Sequence, residues 1–247
     1  MDQTKLKFTD HLEELRKRII ITGVTFILFF ILGFVFVQDI YQFLVKDLSG
    51  KLALLGPGDI IWIYMVIAGV TAIACTIPVA AYQIWRFVKP ALTHSEQKIS
   101  LAFIPGLFFL FLFGIAFGYF ILFPIVLSFL TGLIGDQFAT FFTAEKYFKF
   151  MLNLTLPFGF LFEMPAVVMF LTKLGIINPL KLVKARKISY FVLVIVSVFI
   201  TPPDFISDVL VIIPLLLLYE LSITLSKVVF RKKLKSNAQD LSNFEQI

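Results

Sequence analysis

The feature that most constrains this chain is a set of five long apolar stretches with few or no charged residues. They cover residues 19–37, 60–85, 99–135, 150–172 and 188–226. A helix needs about 20 apolar residues to cross the hydrocarbon of a bilayer, where no water satisfies exposed backbone groups. Because the whole chain is 59% hydrophobic and only 15% charged, it is predicted to be an all-α integral membrane protein.

Lysine and arginine are distributed unevenly between these stretches. Of the 22 basic residues, 18 lie in four segments: the amino end up to Arg18, then residues 86–98, 173–187 and 227–235. Basic residues on short loops favour the cytoplasmic side of a membrane. Both termini are therefore predicted to be cytoplasmic. This orientation accounts for the net charge of +6 without nucleic acid, since no aromatic stacking platform accompanies the cations.

The number of crossings follows from this alternation. The third stretch joins a cytoplasmic to an outside segment and is one span; its 37 residues would reach about 55 Å as a helix, so a bend is predicted at Pro124. The last stretch lies between two cytoplasmic segments and must be two short spans, which turn at Thr201-Pro-Pro-Asp204 because prolines end helices. The bilayer should thin around these short spans.

The six predicted transmembrane helices form a single domain over residues 1–226, with spans at about 19–38, 61–86, 100–130, 150–173, 188–203 and 208–226. Residues 227–247 are predicted to be a basic, disordered cytoplasmic tail.

The chain has little catalytic equipment. Its two histidines, His11 and His94, fall in cytoplasmic segments, and neither an H-E-x-x-H nor a G-x-S-x-G pattern is present. We therefore expect no enzyme activity, no metal and no cofactor. Gly114 and Gly118 form a G-x-x-x-G pattern on the third span, which would let another helix approach closely.

Two acids lie in the predicted cytoplasmic segments. Residues 8–19 carry apolar side chains at helical spacing, which predicts an amphipathic helix on the membrane surface with Asp10 as its cap. Within it, Glu14 has Arg18 four residues later, and the residues alone favour a solvated ion pair worth tenths of a kcal/mol. Glu96, by its spacing, is an ordinary loop residue.

Other acids fall in or near the membrane. Glu163 lies near the middle of the predicted fourth span, where an ionised side chain costs about 3 kcal/mol, so we expect it to have a function. Glu220 lies in the sixth span, and Asp204 and Asp208 lie at the outside turn. Glu163 and Glu220 together motivate one hypothesis, a proton-coupled transporter of small solutes.

Four segments in a fixed order give a second hypothesis. They are His11-Leu-Glu-Glu-Leu-Arg-Lys-Arg18, Phe87-x-x-Pro90-Ala-Leu leading to Glu96, Phe158-Gly-x-x-Phe-Glu-x-Pro165 and Thr201-Pro-Pro-Asp204. Together with six spans they resemble the TatC family, the receptor subunit of the twin-arginine protein translocase. The resemblance implies a non-enzymatic protein of the bacterial cytoplasmic membrane that binds twin-arginine signal peptides of folded precursors. It also implies small single-span partners of the TatA and TatB type, contact with membrane lipid, and self-association in a larger complex.

The resemblance also assigns residues. The implied signal-peptide-binding residues are Glu14, Glu96, Leu12, Arg16, Phe87, Pro90 and Leu92. Carboxylates suit this task because a guanidinium pairs with them through two parallel hydrogen bonds, which lysine cannot copy. Glu163 matches an intramembrane contact for a partner or for cargo, and Asp204 matches the outside-turn acid, for which helix capping is an alternative. The chain departs from the family's usual pattern at Gln97-Lys98, where two basic residues are common, and at Pro57 and Asp59 in the first outside loop.

Overall fold

The computed structural model describes residues 2–46, 52–89, 94–134, 142–201 and 204–244. Within them the regular structure is helical, apart from one isolated parallel bridge between Ala53 and Thr143. The helices are α1 (Asp2–Val35), α2 (Val37–Val45), α3 (Pro57–Val88), α4 (His94–Phe117), α5 (Phe123–Ile134), α6 (Ala144–Leu161), α7 (Met164–Leu174), α8 (Pro179–Lys184), α9 (Arg186–Ile200) and α10 (Phe205–Phe244).

Five helical segments in the described residues are long and apolar enough to cross a membrane. They are Leu12–Val35, Pro57–Val88, Phe103–Leu133, Ala144–Leu174 and Phe205–Lys232. The prediction of an all-α, multi-pass membrane protein is thereby confirmed. The predicted fifth span coincides with α9, which has only 15 residues and is about 22 Å long. Six crossings therefore stay a prediction.

Proline interrupts the third and fourth long segments. In the third, a π-helical turn, Gly118–Leu122, ends two residues before Pro124, close to the place where the sequence predicts a bend. In the fourth, α6 ends at Leu161 and α7 begins at Met164, so that Pro165 falls in the first turn of the new helix. A proline has no N–H for the carbonyl four residues earlier, and the chain adjusts its local winding to accommodate this.

Two predictions about the ends of the chain differ from the structure. The prediction that Asp10 caps a separate surface helix is wrong, because α1 runs unbroken from Asp2 into the first span. No glycine or proline precedes Gly23 to stop it. Residues 227–244, predicted to be a disordered tail, continue α10, which contains no glycine or proline after Pro214 and is rich in helix-forming leucine and lysine.

The contacts divide the predicted single domain into two compact units. Unit 1 comprises Met1–Phe109 and Asp136–Leu152. In it, α1 packs antiparallel to α3: Arg18 reaches Gln83 near one end, and Gly33 lies against the backbone of Ala68 near the other.

Two further contacts consolidate unit 1. Tyr41 of α2 stacks on Phe148 of α6 with ring centroids 5.5 Å apart. The bridge at Ala53 consists of two main-chain hydrogen bonds, from Ala53 N to Phe142 O at 3.0 Å and from Ala144 N to Ala53 O at 2.9 Å. The segment before α3 is thereby joined to the start of α6.

Unit 2 comprises Leu110–Gly135 and Asn153–Ile247. Here α7 packs along α10, and their buried hydroxyls Thr172 and Ser226 lie 2.7 Å apart. Gly114 and Gly118 lie directly against the backbone of residues 155–159. The G-x-x-x-G pattern therefore does allow a close helix approach, as the sequence predicts.

Candidate functional site

A cleft of about 360 Å³ opens between α1 and the end of α3 in unit 1. Its lining contains two acids, three cations and one apolar side chain. The lining residues are Glu13, Glu14, Lys17, Arg18, Ile21 and Arg86. Just over two turns of α1 and the last turn of α3 supply all of them, since residues three and four apart face the same side of a helix.

Glu14 is held in this cleft by Arg18. The Arg18 Nη2 atom donates to Glu14 Oε1, which is the ion pair that the four-residue spacing predicts. The Glu14 side chain keeps 37% of its surface exposed, whereas Arg18 keeps 12%. The carboxylate is therefore partly exposed to solvent while it is bound to a guanidinium.

The second hydrogen bond of Arg18 runs to another helix. Its Nη1 atom donates to Gln83 Oε1 at 3.3 Å, and Gln83 is buried at 8% exposure. The Arg18 Nε atom is also buried and has no hydrogen-bond partner among the described residues. Arg18 thus bridges the acid of α1 and the amide of α3 without satisfying all of its own donors.

The other residues predicted for this face are only partly described. Leu12 and Arg16 are exposed on α1, and Phe87 is half-buried next to Arg86. Pro90 and Leu92 lie outside the described residues. Glu96 lies in α4, but its side chain is outside the described part of the structure.

Among the residues that sequence reasoning did not assign to this site are Arg86, which lines the cleft, and Gln83, which accepts a hydrogen bond from Arg18. Arg86 counted only as a marker of orientation, although its guanidinium lines the same space as Glu14. Gln83 lies inside an apolar stretch, and an uncharged polar residue near the end of a span was the one available signal for it.

Glu163 occupies a break between helices. Phe162 and Glu163 form the turn between α6 and α7, and the Glu163 carbonyl accepts the first bond of α7, from Val167 N at 3.0 Å. Its Oε1 atom is buried and has no hydrogen-bond partner among the described residues. The neighbouring Phe162 ring contacts Phe117 and Phe113, with centroids 5.3 and 5.5 Å away. Glu163 therefore has one buried, unsatisfied carboxyl oxygen, and its chain neighbour Phe162 belongs to an aromatic cluster.

Glu220, by contrast, is well partnered. Tyr190 Oη donates to its Oε1 at 2.5 Å and Arg186 Nη2 donates to its Oε2 at 2.7 Å. These bonds tie α10 to the first turns of α9. Glu220 is therefore not an isolated acid within the membrane. One of the two residues that motivated the hypothesis of a proton-coupled transporter is thereby explained by structural bonds.

Asp204 caps α10. Its Oδ1 atom accepts from Ser207 N at 2.7 Å, the position that an N-terminal cap occupies. One turn later, Asp208 accepts from the hydroxyl of Thr201. The capping alternative for Asp204 is therefore what the structure shows, although its Oδ2 atom is buried without a partner among the described residues.

Comparison with known proteins decides the family. The family model for the Sec-independent protein translocase protein (TatC) matches residues 10–214. The chain belongs to the TatC family. It is 64% identical to the Sec-independent protein translocase protein TatCd of Bacillus subtilis (strain 168) over 235 residues, covering 95% of this chain and 97% of TatCd. TatCy of the same strain is 41% identical over 244 residues, covering 97% and 96%.

The fold agrees with a solved TatC. The crystal structure of the twin arginine translocase receptor TatC matches with a TM-score of 0.77 and 35% identity, over 89% of this chain and 99% of that one. The resemblance predicted from the four motifs is therefore confirmed. As a TatC, the protein is a multi-pass membrane component of a Sec-independent protein translocase and not an enzyme. The small-solute transporter is not favoured.

Proposed function

We propose that this TatC protein is the receptor and core scaffold of a twin-arginine translocation system. It binds the twin-arginine signal peptides of folded precursors at the cytoplasmic face and recruits single-span TatA/TatB-type subunits. The observation that supports this most is the partly exposed Glu14 carboxylate in a cleft between α1 and α3. A carboxylate so placed can receive the planar donor fork of an arginine.

Typical hydrogen-bond free energies indicate how much of the binding free energy the two acids can supply. A hydrogen bond to a charged group contributes about 1.5 to 3 kcal/mol, and micromolar affinity requires about 8 kcal/mol. Contacts at Glu14 and Glu96 would supply a large part of that. The apolar part of the signal peptide must add the rest, and the exposed face of α1 at Leu12, Leu15 and Ile19 offers apolar surface next to the cleft. Arg16, Phe87, Pro90 and Leu92 complete the proposed binding surface.

The proposed topology places this cleft on the cytoplasmic side. Because α1 and α3 are antiparallel, the basic segments around Arg18 and Arg86 lie at the same end of unit 1. This supports the positive-inside assignment of both termini to the cytoplasm of a bacterial cell. With α9 as the short fifth span, the chain would cross the cytoplasmic membrane six times.

Glu163 is the proposed contact for a partner subunit or for inserted cargo. Its buried, unpartnered Oε1 atom favours an outside hydrogen-bond donor, because leaving such an atom unsatisfied costs about 1 to 3 kcal/mol. A polar side chain on a single-span helix would supply it. For Asp204 we propose no role in binding beyond the cap at the outside turn. Self-association and bound lipid remain parts of the proposal.

A precursor-binding measurement tests the receptor function. The full chain in nanodiscs is titrated with a synthetic signal peptide that carries Arg-Arg or Lys-Lys. Glu14→Gln and Glu96→Gln should each weaken binding of the Arg-Arg peptide about tenfold, because each loses a charge-assisted hydrogen bond. Glu145→Gln, at an exposed acid of α6, is the matched control and should bind as the unaltered protein does. Undiminished binding by both cleft variants, or equal affinity for the two peptides, would reject the site.

A further inference from the structure

We propose that the Arg18 guanidinium takes the place of the cargo's arginine in the empty receptor. It pairs with the Glu14 carboxylate until a twin-arginine signal binds, and then shifts its hydrogen bond to the side-chain oxygen of Gln83. This inference rests on the proposed binding of signal peptides at Glu14. It gives Arg18 and Gln83 a role as positioning residues, which neither the family assignment nor the resemblance supplies.

The geometry of Arg18 provides the first step. Its guanidinium is the same chemical group that the ligand would bring, and it is already bound to Glu14. The second half of the fork contacts Gln83 at 3.3 Å, a long bond for a nitrogen donor. Its third donor, Nε, has no partner among the described residues. Arg18 is thus incompletely satisfied in the empty state, with a second acceptor already in contact.

The charge of the cleft provides the second step. Glu13 and Glu14 face Lys17, Arg18 and Arg86, so the lining carries one more positive than negative charge. Two incoming guanidinium groups would add two further positive charges within a few ångströms, and like charges at such distances repel. Release of Arg18 from Glu14 makes that carboxylate's negative charge available to one of the incoming guanidinium groups.

Gln83 is suited to receive that cation. It is neutral and buried, and its carbonyl oxygen already points at the guanidinium. Movement of Arg18 from Glu14 towards Gln83 would shorten this bond and give the carboxylate to the ligand. The exchange replaces one guanidinium by another on Glu14, so the acid stays paired before and after binding. A ligand is held only if its contacts outweigh the free-energy cost of displacing Arg18.

Opposite changes in affinity test the exchange. Arg18→Gln removes the competitor and should tighten binding of the Arg-Arg peptide about three- to tenfold. Gln83→Met keeps the volume but removes the receiving oxygen, so it should weaken binding about tenfold. In the Arg18→Gln/Gln83→Met double variant the Gln83 substitution should have no further effect, because no guanidinium needs the oxygen.

Two additional measurements make the test specific. The ratio of affinities for Arg-Arg and Lys-Lys peptides should be unchanged by Arg18→Gln, since the cost of displacing Arg18 is the same for both ligands. Arg18→Lys, a milder substitution that retains the charge, should tighten binding less than Arg18→Gln does. Thermal unfolding of each variant in detergent identifies those that fail to fold, and the lysine variant then provides the affinity comparison.

The outcomes separate this inference from the proposed function. If Glu14→Gln weakens binding as expected and Arg18→Gln or Arg18→Lys weakens it as well, the exchange is overturned while the receptor site stands. If Gln83→Met weakens binding equally with and without Arg18, Gln83 acts on the ligand or on the fold, and the exchange is again overturned. If Glu14→Gln has no effect, the proposed site and the inference fail together.

Discussion

Gly114 lies against Gly159 so closely that a Cβ atom built on Gly114 would stand 2.9 Å from the Cα of Gly159. The contact is backbone to backbone, so no side-chain rotation can relieve it. Gly159 is equally enclosed, because a Cβ there would lie 2.7 Å from the Phe111 ring. The two segments of unit 2 therefore approach each other as closely as glycine allows.

The first prediction concerns this contact. Gly114→Ala should lower the free energy of unfolding in detergent by about 1 to 3 kcal/mol, because the added methyl group forces the backbones apart. Gly132→Ala is the control, since a Cβ at Gly132 meets nothing within 4 Å, and alanine in a helix should stabilise by about 0.5 to 1 kcal/mol. Equal thermal stability of the two variants would contradict the packing.

The second prediction concerns the hydroxyl pair between α7 and α10. Thr172 donates to Val168 O at 2.8 Å, so Ser226 must donate to Thr172 Oγ1 across the 2.7 Å contact. Ser226→Ala should destabilise by about 0.6 to 1.7 kcal/mol, the range for hydrogen bonds between membrane helices. Ser222→Ala provides the comparison, because Ser222 bonds the Leu218 carbonyl of its own helix. A Ser222 effect as large as that of Ser226 would show that the interhelical bond contributes nothing.

The third prediction concerns Glu163. Glu163→Ala should reduce co-purification of a single-span partner several-fold, because the only change is the loss of a half-buried carboxyl that we propose as the docking group. Glu163→Gln should retain most of it, since an amide both donates and accepts hydrogen bonds. The reverse order, with alanine tolerated and glutamine not, would exclude hydrogen bonding as the basis of docking. Glu145→Ala is the control.

The fourth prediction concerns Glu220. Glu220→Gln keeps one carbonyl oxygen for Tyr190 or Arg186 and removes the charge, so it should lower the free energy of unfolding by about 1 kcal/mol. Precursor transport should continue, because the group joins α9 to α10 through bonds that are already complete. Loss of transport at unchanged thermal stability would instead assign Glu220 a part in the transport step.

The fifth prediction concerns the length of α9. Its 15 residues are about 8 Å shorter than the roughly 30 Å of hydrocarbon. Mismatch costs a fraction of a kcal/mol per Å, so the protein should be more stable in short-chain than in long-chain phosphatidylcholine bilayers. Thermal unfolding in nanodiscs of the two lipids measures this, and a higher melting temperature in the long-chain lipid would show that α9 does not span alone.

Local patterns in the sequence predicted much of this structure. Apolar runs identify the long helices, because an apolar segment in the bilayer must satisfy its backbone hydrogen bonds internally, as a helix does. The segment Thr201-Pro-Pro-Asp204 marks the end of α9 and the start of α10. The ion pair of Glu14 and Arg18 follows from a spacing of four residues. Contacts between distant parts of the chain were beyond such reasoning. Arg18 and Gln83 are 65 residues apart, and no local pattern in either segment predicts that the two side chains are in contact.

Helix ends were the weaker part of the prediction. The start of α1 and the length of α10 depend on whether a polar segment continues an apolar helix, and helix propensity differs by less than 1 kcal/mol between most residues. The break between α6 and α7 at Glu163 is the opposite case. Pro165 is a residue that often begins a new helix, but it lies within a long apolar run that predicts one continuous span. Neither pattern could show that the carboxyl would lack a partner.

The bridge at Ala53 has a consequence for how the segment before α3 can vary. Both of its hydrogen bonds use main-chain atoms, so the identity of the side chains around Ala53 has no part in them. Substitutions there can alter shape and charge while the join to the start of α6 persists. Proline at position 53 or 144 is the exception, since it would delete one of the two donors and free that segment from its anchor.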